Sequence, residues 1–239
     1  MIDFKAKNID PRERLIVALD LPSAQQAKDF VQAVGDEAVF YKVGLELFMS
    51  GGYFELVEWL VAQRKKVFVD LKFFDVPETV RSAVRGLHHR GVSFATVHGN
   101  QAIMQAAAAE KGDIAILAVT VLTSLDRGDL DDLGFACDVE RLVLSRARRA
   151  LEAGCDGVIS SGLEAPMLRN EIDHRLLVVT PGIRPVENRV SDDQKRTVDV
   201  AQAFANGADY IVVGRPIRNA ADPRQAAADI QRTIVGAIG

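Results

Sequence analysis

The chain has 239 residues, of which 48% are hydrophobic and 26% are charged, the composition of an ordinary globular protein. Its formal net charge of −4 argues against a general nucleic-acid surface but permits a local pocket for anions. No apolar run reaches the length of a secretion signal or a membrane span, and the two cysteines, Cys137 and Cys155, form no CxxC pair, so we expect a cytoplasmic protein with reduced thiols.

Short apolar runs alternate with amphipathic stretches along the whole chain. The runs predict strands at 15–20, 39–44, 66–72, 93–99, 114–122, 156–162, 176–183 and 209–217. The stretches between them predict helices, among them 23–34, 53–65, 77–90, 139–154 and a closing helix at 222–238. Ser23 is placed to cap the first of these helices. Gly91, Gly154 and Gly207 each follow a helical pattern, where a glycine is expected to end the helix.

This alternation predicts an α/β protein with a closed (β/α)8 barrel. Near-continuous apolar strands separated by helices indicate parallel strands that are buried on both faces. Eight such units in a chain of this length fit the barrel, which typically has about 250 residues. No linker interrupts the chain, so we predict one domain over residues 1–239. The alternative is an open doubly wound sheet, but "ALDLPSAQQA" after the first strand carries no GxGxxG phosphate loop.

Charged and polar residues stand at the ends of the predicted strands, where the active site of a barrel lies. In "KVFVDLKFFDVPETV" (66–80), Asp70 and Lys72 are two residues apart and share one face of the strand, with Leu71 on the other. Burying these charges is costly unless they are paired and used. The alternative is a structural ion network that caps the strand. Asp20 and Lys42, at the ends of the first two strands, favour a charged functional pocket instead.

The last two strands end in "TPGIRP" and "VVGRPI". In this fold, the loops at these two positions commonly bind phosphate, because glycine lets backbone N–H groups approach the oxygens and arginine adds a two-pronged contact. We therefore predict a phosphate site that includes Pro181, Gly182, Arg184, Gly214 and Arg215, the alternative being two ordinary turns with surface arginines. The polar segment 122–134 is predicted to be a loop that acts as a lid, the alternative being a solvated connection.

Two other features carry no further prediction of chemistry. His98 ends the fourth predicted strand and is expected to be a structural group near the pocket. No HExxH motif, P-loop or cysteine cluster is present, so the sequence gives no support for a metal or nucleoside-triphosphate site.

Taken together, these motifs resemble the orotidine 5′-monophosphate decarboxylase family. The Asp-x-Lys-x-x-Asp pattern of "VFVDLKFFDVPETV" is accompanied by "VALD", "YKVGLELF", "VLTS", "TPGIRP" and "VVGRPI" over essentially the whole chain. The combination is specific, whereas the Asp-x-Lys-x-x-Asp pattern alone is shared with related magnesium-dependent barrels that act on sugar phosphates.

The resemblance implies a cofactor-independent decarboxylase that makes uridine 5′-monophosphate, and it implies a role for each matching residue. Asp70 and Lys72 would flank the reacting carbon, with Lys42 in the same charged network. Asp75 would reach the site of the neighbouring subunit in a homodimer. The residues that would bind substrate are Asp20 on the ribose, Thr123 and Ser124 on the pyrimidine ring, and Arg184, Gln194, Gly214 and Arg215 on the phosphate side.

Lys72 is the residue best suited to the implied chemistry. Loss of carbon dioxide from orotidylate leaves an anion at ring carbon 6 that the ring cannot delocalise, and no cofactor signature supplies an electron sink. An ammonium group can stabilise this anion and then protonate it. The alternatives are a magnesium-dependent decarboxylase or aldolase of sugar phosphates on the same barrel, and a barrel that binds phosphorylated ribosides without turnover.

Overall fold

Eight parallel strands form a closed barrel in which each strand pairs with its neighbours in chain order. The computed structural model describes residues 7–184 and 196–238. The strands are β1 (Leu15–Ala18), β2 (Phe40–Gly44), β3 (Lys66–Phe73), β4 (Val92–Val97), β5 (Ala115–Val119), β6 (Gly157–Ile159), β7 (Leu177–Thr180) and β8 (Tyr210–Val213). The predicted (β/α)8 barrel is therefore confirmed, although most strands end earlier than the apolar runs suggested.

Helices follow every strand and surround the barrel. They are α1 (Ala24–Val34), α2 (Leu45–Ser50), α3 (Tyr53–Ala62), α4 (Pro77–Arg85), α5 (Gln101–Ala109), α6 (Arg127–Asp132), α7 (Val139–Glu152), α8 (Ala165–Glu171), α9 (Val200–Ala205), α10 (Arg215–Arg218) and α11 (Pro223–Ile238). The five helices named from the sequence are present at the predicted places. None of the helices within the described ranges is long and apolar enough to cross a membrane.

The helix ends follow the predicted capping chemistry with one exception. The Ser23 hydroxyl accepts a hydrogen bond from the Gln26 backbone N–H at 3.3 Å, which starts α1. Gly154 and Gly207 directly follow the C-caps of α7 and α9 and have φ angles of 87° and 99°, the left-handed region in which glycine ends a helix without strain. The prediction for Gly91 was wrong, because α4 already ends at Arg85; Gly91, with a φ of 69°, follows a stretch of turns instead.

The segment predicted as a polar loop after β5 was interpreted wrongly in part, because it contains α6. The Asp126 side chain accepts from the Asp129 backbone N–H, while the Asp129 side chain accepts from the Asp126 backbone N–H. Leu130 is buried, so this short helix also has an apolar anchor. Asp126 and Asp129, which the sequence suggested were part of a solvated loop, form the two hydrogen bonds of a capping box.

Aromatic side chains fill the interior of the barrel below its carboxyl end. Phe40, Phe68, Phe94 and Tyr210 are buried together, and the ring centres of Phe40 and Phe94 lie 4.9 Å apart in an edge-to-face contact. This packing fills the interior of the barrel, so the barrel is not an open pore. It also forms an apolar floor, and the next inward-facing positions along the strands lie above it.

Candidate active site

A layer of polar side chains lies directly above the aromatic floor. Inward-facing positions in a strand are two residues apart, so Lys42 follows Phe40, Asp70 follows Phe68 and Thr96 follows Phe94. The register brings these positions together, because β2 pairs with β3 and β3 pairs with β4. The sequence of each strand thus changes from aromatic to polar at the depth where the interior opens to solvent.

Four charged side chains form one continuous array in this layer. Lys42 Nζ lies 3.0 Å from Asp20 Oδ1 and 3.4 Å from Asp70 Oδ2. Lys72 Nζ lies 2.9 Å from Asp70 Oδ1. The side chains of Lys42 and Asp70 are each only 12% exposed, so the array extends from solvent into the barrel. Two carboxylates and two ammonium groups leave it neutral overall.

Asp70 and Lys42, the two most buried residues of this array, are held in their charged forms. Burial alone would raise the pKa of Asp70, but the ammonium groups of Lys42 and Lys72 and the hydrogen bonds from Lys72 and Thr96 outweigh it and hold the pKa below its ordinary value. Burial would likewise lower the pKa of Lys42, but Asp70 and Asp20 outweigh it and raise the pKa. Both groups are therefore ionised throughout the neutral pH range.

Lys72 is placed by an irregularity in β3. Val69 pairs with Ala95 and Phe73 pairs with Val97, so the three residues from Asp70 to Lys72 lie opposite Thr96 alone. Lys72 has a φ of 49°, a left-handed conformation that costs a residue with a side chain about 1–3 kcal/mol. Such strain persists only where the surroundings enforce it, and it is typical of functional sites.

Thr96 supplies the contact that holds this irregular backbone. Its hydroxyl accepts a hydrogen bond from the Lys72 backbone N–H at 2.9 Å and donates one to Asp70 Oδ1, also at 2.9 Å. One buried hydroxyl therefore fixes the backbone of Lys72 and the carboxylate of its partner. Thr96 was not among the residues predicted from the sequence, where a threonine in a strand looks unremarkable. Its position two residues after Phe94, on the inward face, is the signal that could have identified it.

The array opens into a cavity of about 270 Å³ at the carboxyl ends of the strands. Nearly all the residues predicted for the site line it: Asp20, Lys42, Asp70, Lys72, Thr123, Ser124, Pro181, Gly182, Arg184, Gly214 and Arg215. Apolar side chains from Ala18, Phe68, Val119, Val121, Leu122, Ile159 and Val212 complete the lining. The charged array comes from the ends of β1, β2 and β3, and the two glycine turns follow β7 and β8, so a molecule with a ring and an anionic group could contact both.

Comparisons with known proteins agree with this arrangement. The profile of the Orotidine 5'-phosphate decarboxylase / HUMPS family matches residues 13–230. The chain belongs to this family. It is 71% identical to the orotidine 5'-phosphate decarboxylase of Methylococcus capsulatus over 228 residues, which cover 95% of this chain and 94% of that protein. The enzyme of the same name from Stenotrophomonas maltophilia is 51% identical over equal shares of the two chains.

A solved structure extends the likeness to three dimensions. The crystal structure of orotidine 5'-phosphate decarboxylase from Lactobacillus acidophilus superposes with a TM-score of 0.82 at 35% identity, covering 93% of this chain and 99% of that one. In this member of the orotidine 5'-phosphate decarboxylase family, the barrel and the recognised sequence motifs therefore extend over the same part of the chain.

Of the remaining residues singled out in the sequence, two lie away from the cavity wall and one is outside the described residues. Asp75 is exposed and absent from the cavity wall, and its Oδ1 accepts from the Val76 backbone N–H at 2.6 Å. His98 is also absent from the wall; its ring packs edge-on against Phe74 with the ring centres 5.4 Å apart, and burial, with Arg146 and Lys72 nearby, lowers its pKa. Gln194 lies outside the described residues.

The carboxylates of the array are engaged by lysine rather than left open. Both oxygens of Asp70 face an ammonium group, one from Lys42 and one from Lys72. Among residues 7–184 and 196–238, no group of three or more histidine, cysteine or acidic side chains could hold a metal ion. The arrangement fits a substrate that develops negative charge close to Lys72.

Proposed function

We propose that this chain decarboxylates orotidine 5′-monophosphate to uridine 5′-monophosphate, a step of pyrimidine biosynthesis, without a metal or an organic cofactor. The observation that carries the proposal is the array of Lys42, Asp70 and Lys72, which lies directly above the aromatic floor and opens into the cavity at the carboxyl ends of the strands. The family and its named relatives give the substrate, and the array gives the chemistry.

The reaction breaks the bond between ring carbon 6 and the carboxylate carbon. Neutral carbon dioxide leaves, and the electron pair stays on carbon 6 in an orbital that the ring cannot delocalise. Lys72 stabilises this pair and then donates a proton to form the new carbon–hydrogen bond. Lys72 is left neutral and recovers its proton from solvent. Atoms and charge balance without an external electron sink.

Electrostatic stabilisation by a fixed ammonium group is the larger part of the rate enhancement. Opposite charges about 4 Å apart gain about 4 kcal/mol at an effective dielectric constant near 20, and no rearrangement is needed because Asp70 and Thr96 already hold Lys72. The Asp70 carboxylate would also repel the substrate carboxylate, and this repulsion is relieved as carbon dioxide leaves. We regard that relief as the smaller contribution.

The other residues around the cavity divide between three parts of the substrate. We assign Asp20 to the ribose hydroxyls and Thr123 with Ser124 to the pyrimidine ring. The phosphate would lie near the glycine turns, with Pro181, Arg184, Gly214 and Arg215, and with Gln194 from the segment outside the described residues. Binding energy from this distant group can drive closure over the reacting ring.

The decisive experiment follows the ultraviolet absorbance of orotidine 5′-monophosphate with purified protein in metal-free buffer. We expect the absorbance change of decarboxylation at the same rate with and without a chelator. Loss of activity on chelation would favour the magnesium-dependent alternative, and binding of the nucleotide without turnover would favour a sensor.

Arg215→Ala is expected to weaken phosphate-dependent binding and to raise KM for orotidine 5′-monophosphate about 100-fold, because a charged hydrogen-bonding partner of the phosphate is lost. Orotidine, which lacks the phosphate, should be turned over about equally by the variant and the wild type. Arg232→Ala, which removes an exposed arginine on α11 bound to Asp229, serves as the control. A large remaining difference on orotidine would place Arg215 outside the phosphate site.

Thr96→Val is expected to lower kcat at least tenfold while KM changes less. Valine has nearly the same shape but neither accepts from the Lys72 N–H nor donates to Asp70, so the strained backbone loses its support at a cost of about 1–3 kcal/mol. Thr96→Ser keeps the hydroxyl and should stay near wild type. Equal kcat values for the valine and serine variants would rule out this role for Thr96.

We propose further that the protein is a homodimer in which Asp75 serves the neighbouring site. Phe74 and Val76, which flank Asp75 after β3, are exposed, and so are Leu45, Phe48 and Met49 on α2, which follows the neighbouring strand β2; Met49 is 79% exposed. A cluster of exposed apolar side chains of this kind is typical of an interface. A two-fold interface there would cover it and bring Asp75 to the partner's rim.

Two remaining assignments complete the proposal. We take residues 1–239 to be one barrel domain, since the profile match and the strands both extend through nearly the whole chain. We place the protein in the cytoplasm. Cys137 and Cys155 are free thiols in the structure, which is typical of a reducing compartment.

A further inference from the structure

A buried ion pair lies beside the cavity but does not line it. Arg196, which precedes α9, has Nη1 2.5 Å from Glu164 Oε1 at the start of α8. The Arg196 side chain is 12% exposed and that of Glu164 is 4% exposed. Burial raises the pKa of Glu164, although Arg196 opposes this rise. A buried pair is seldom retained for stability alone, because desolvation offsets most of the attraction.

The second half of the guanidinium group reaches a different part of the barrel. Arg196 Nη2 donates to the backbone carbonyls of Val121 at 3.2 Å and Leu122 at 2.9 Å. These two residues follow β5, and their side chains line the cavity together with those of Thr123 and Ser124, which come next in the chain. Arg196 therefore fixes the backbone immediately before the two residues assigned to the pyrimidine ring.

The Glu164 carboxylate is itself held by a residue at the end of β6. Its Oε2 accepts a hydrogen bond from the Ser160 hydroxyl at 3.2 Å, and Ser160 directly follows β6. The Ser161 hydroxyl donates to the Arg196 backbone carbonyl at 3.4 Å. The guanidinium group is thus held by the end of β6 while it holds the segment after β5. An arginine suits this position because its planar group offers several N–H donors in fixed directions, whereas a lysine offers a single point charge.

We propose that Arg196, held by Glu164, is a positioning residue that sets the segment from Val121 to Ser124 against the nucleobase. The proposal deepens the proposed function and rests on it, because it concerns recognition of the base. The proposal also predicts which binding affinity is lost when this contact is weakened. Weakening the contact should impair binding of the base and leave binding of the sugar phosphate unchanged.

Arg196→Lys tests this pattern, with binding measured by titration calorimetry. We expect the affinity for uridine 5′-monophosphate to fall at least tenfold, about 1.4 kcal/mol, while the affinity for ribose 5-phosphate stays within twofold of wild type. Glu164→Gln, which keeps a hydrogen-bond acceptor for Arg196 but removes the charge, should show a smaller loss of the same kind. If Arg196→Lys does not fold, the Glu164→Gln variant alone tests the proposal.

Arg169→Lys is the matched control, because Arg169 and Asp209 form an equally buried ion pair at 2.6 Å near the opposite end of the barrel. It should lower the melting temperature but leave the ratio of the two affinities unchanged. Equal losses for both ligands in Arg196→Lys, or a loss of base binding as large in Arg169→Lys, would overturn the positioning role. Wild-type protein that binds ribose 5-phosphate but not uridine 5′-monophosphate would instead contradict the proposed function.

Discussion

Lys72→Ala is expected to lower kcat for orotidine 5′-monophosphate at least about 10⁴-fold, because it removes the proposed proton donor and, with it, the positive charge proposed to stabilise the developing anion. The fold should survive the change. Asp70 keeps its contacts with Lys42 and with the Thr96 hydroxyl, so no carboxylate is left buried and unpaired. Binding of uridine 5′-monophosphate, which carries no departing carboxylate, should change much less than kcat.

Single-turnover measurement of the absorbance change gives the rate, and thermal unfolding verifies the fold. Lys66→Ala is a suitable control, since Lys66 lies at the start of the same strand and is paired with Glu13 at 2.5 Å, far from the cavity. It should retain nearly full activity. If Lys72→Ala kept a tenth of wild-type activity, the proton would have to come from another group.

The barrel was predictable because each strand carries its own local pattern. Apolar runs such as 15–20 and 209–217, each followed by a helical pattern, favour strands buried on both faces, although the second run also includes the first residues of α10. Short helices were harder to predict. Helix α2 begins directly after β2, and its six residues, Leu45–Ser50, are too few to show a helical periodicity in the sequence.

Part of the site was predictable for the same reason. Asp70 and Lys72 interrupt an apolar strand, and a charge in such a place needs a partner. Lys42 stands between Tyr41 and Val43, which are both buried, so its ammonium had to lie within the barrel or at its mouth. The fold then brings together strand ends that are distant in sequence.

The positioning contacts could not be read from the sequence, because they depend on register and on side chains far apart in the chain. The link from Thr96 to Lys72 exists only because β3 bulges opposite β4. The link from Arg196 to Glu164 spans 32 residues and joins loops that follow different strands. Neither residue belongs to a motif of recognised spacing.

The place of Asp75 leads to a test of the shared site. Asp75 follows β3 by only two residues, yet it does not line the cavity of its own chain. If it completes the partner's array, each active site takes Lys72 from one chain and Asp75 from the other. The Lys72→Ala and Asp75→Ala homodimers should then each be nearly inactive, because every active site in them lacks one of the two residues.

Mixing these two variants, with subunit exchange allowed, should restore activity. Random pairing makes about half of the dimers heterodimers, and one site of each heterodimer receives both intact residues, so about a quarter of wild-type activity should return under two-fold symmetry. Lys72→Ala mixed with Asp70→Ala is the matched control. Asp70 and Lys72 lie 2.9 Å apart in one chain, so no pairing of those variants yields an intact site. A Lys72→Ala and Asp75→Ala mixture that stays inactive, with exchange verified by mass-labelled subunits, would show that Asp75 does not act across the interface.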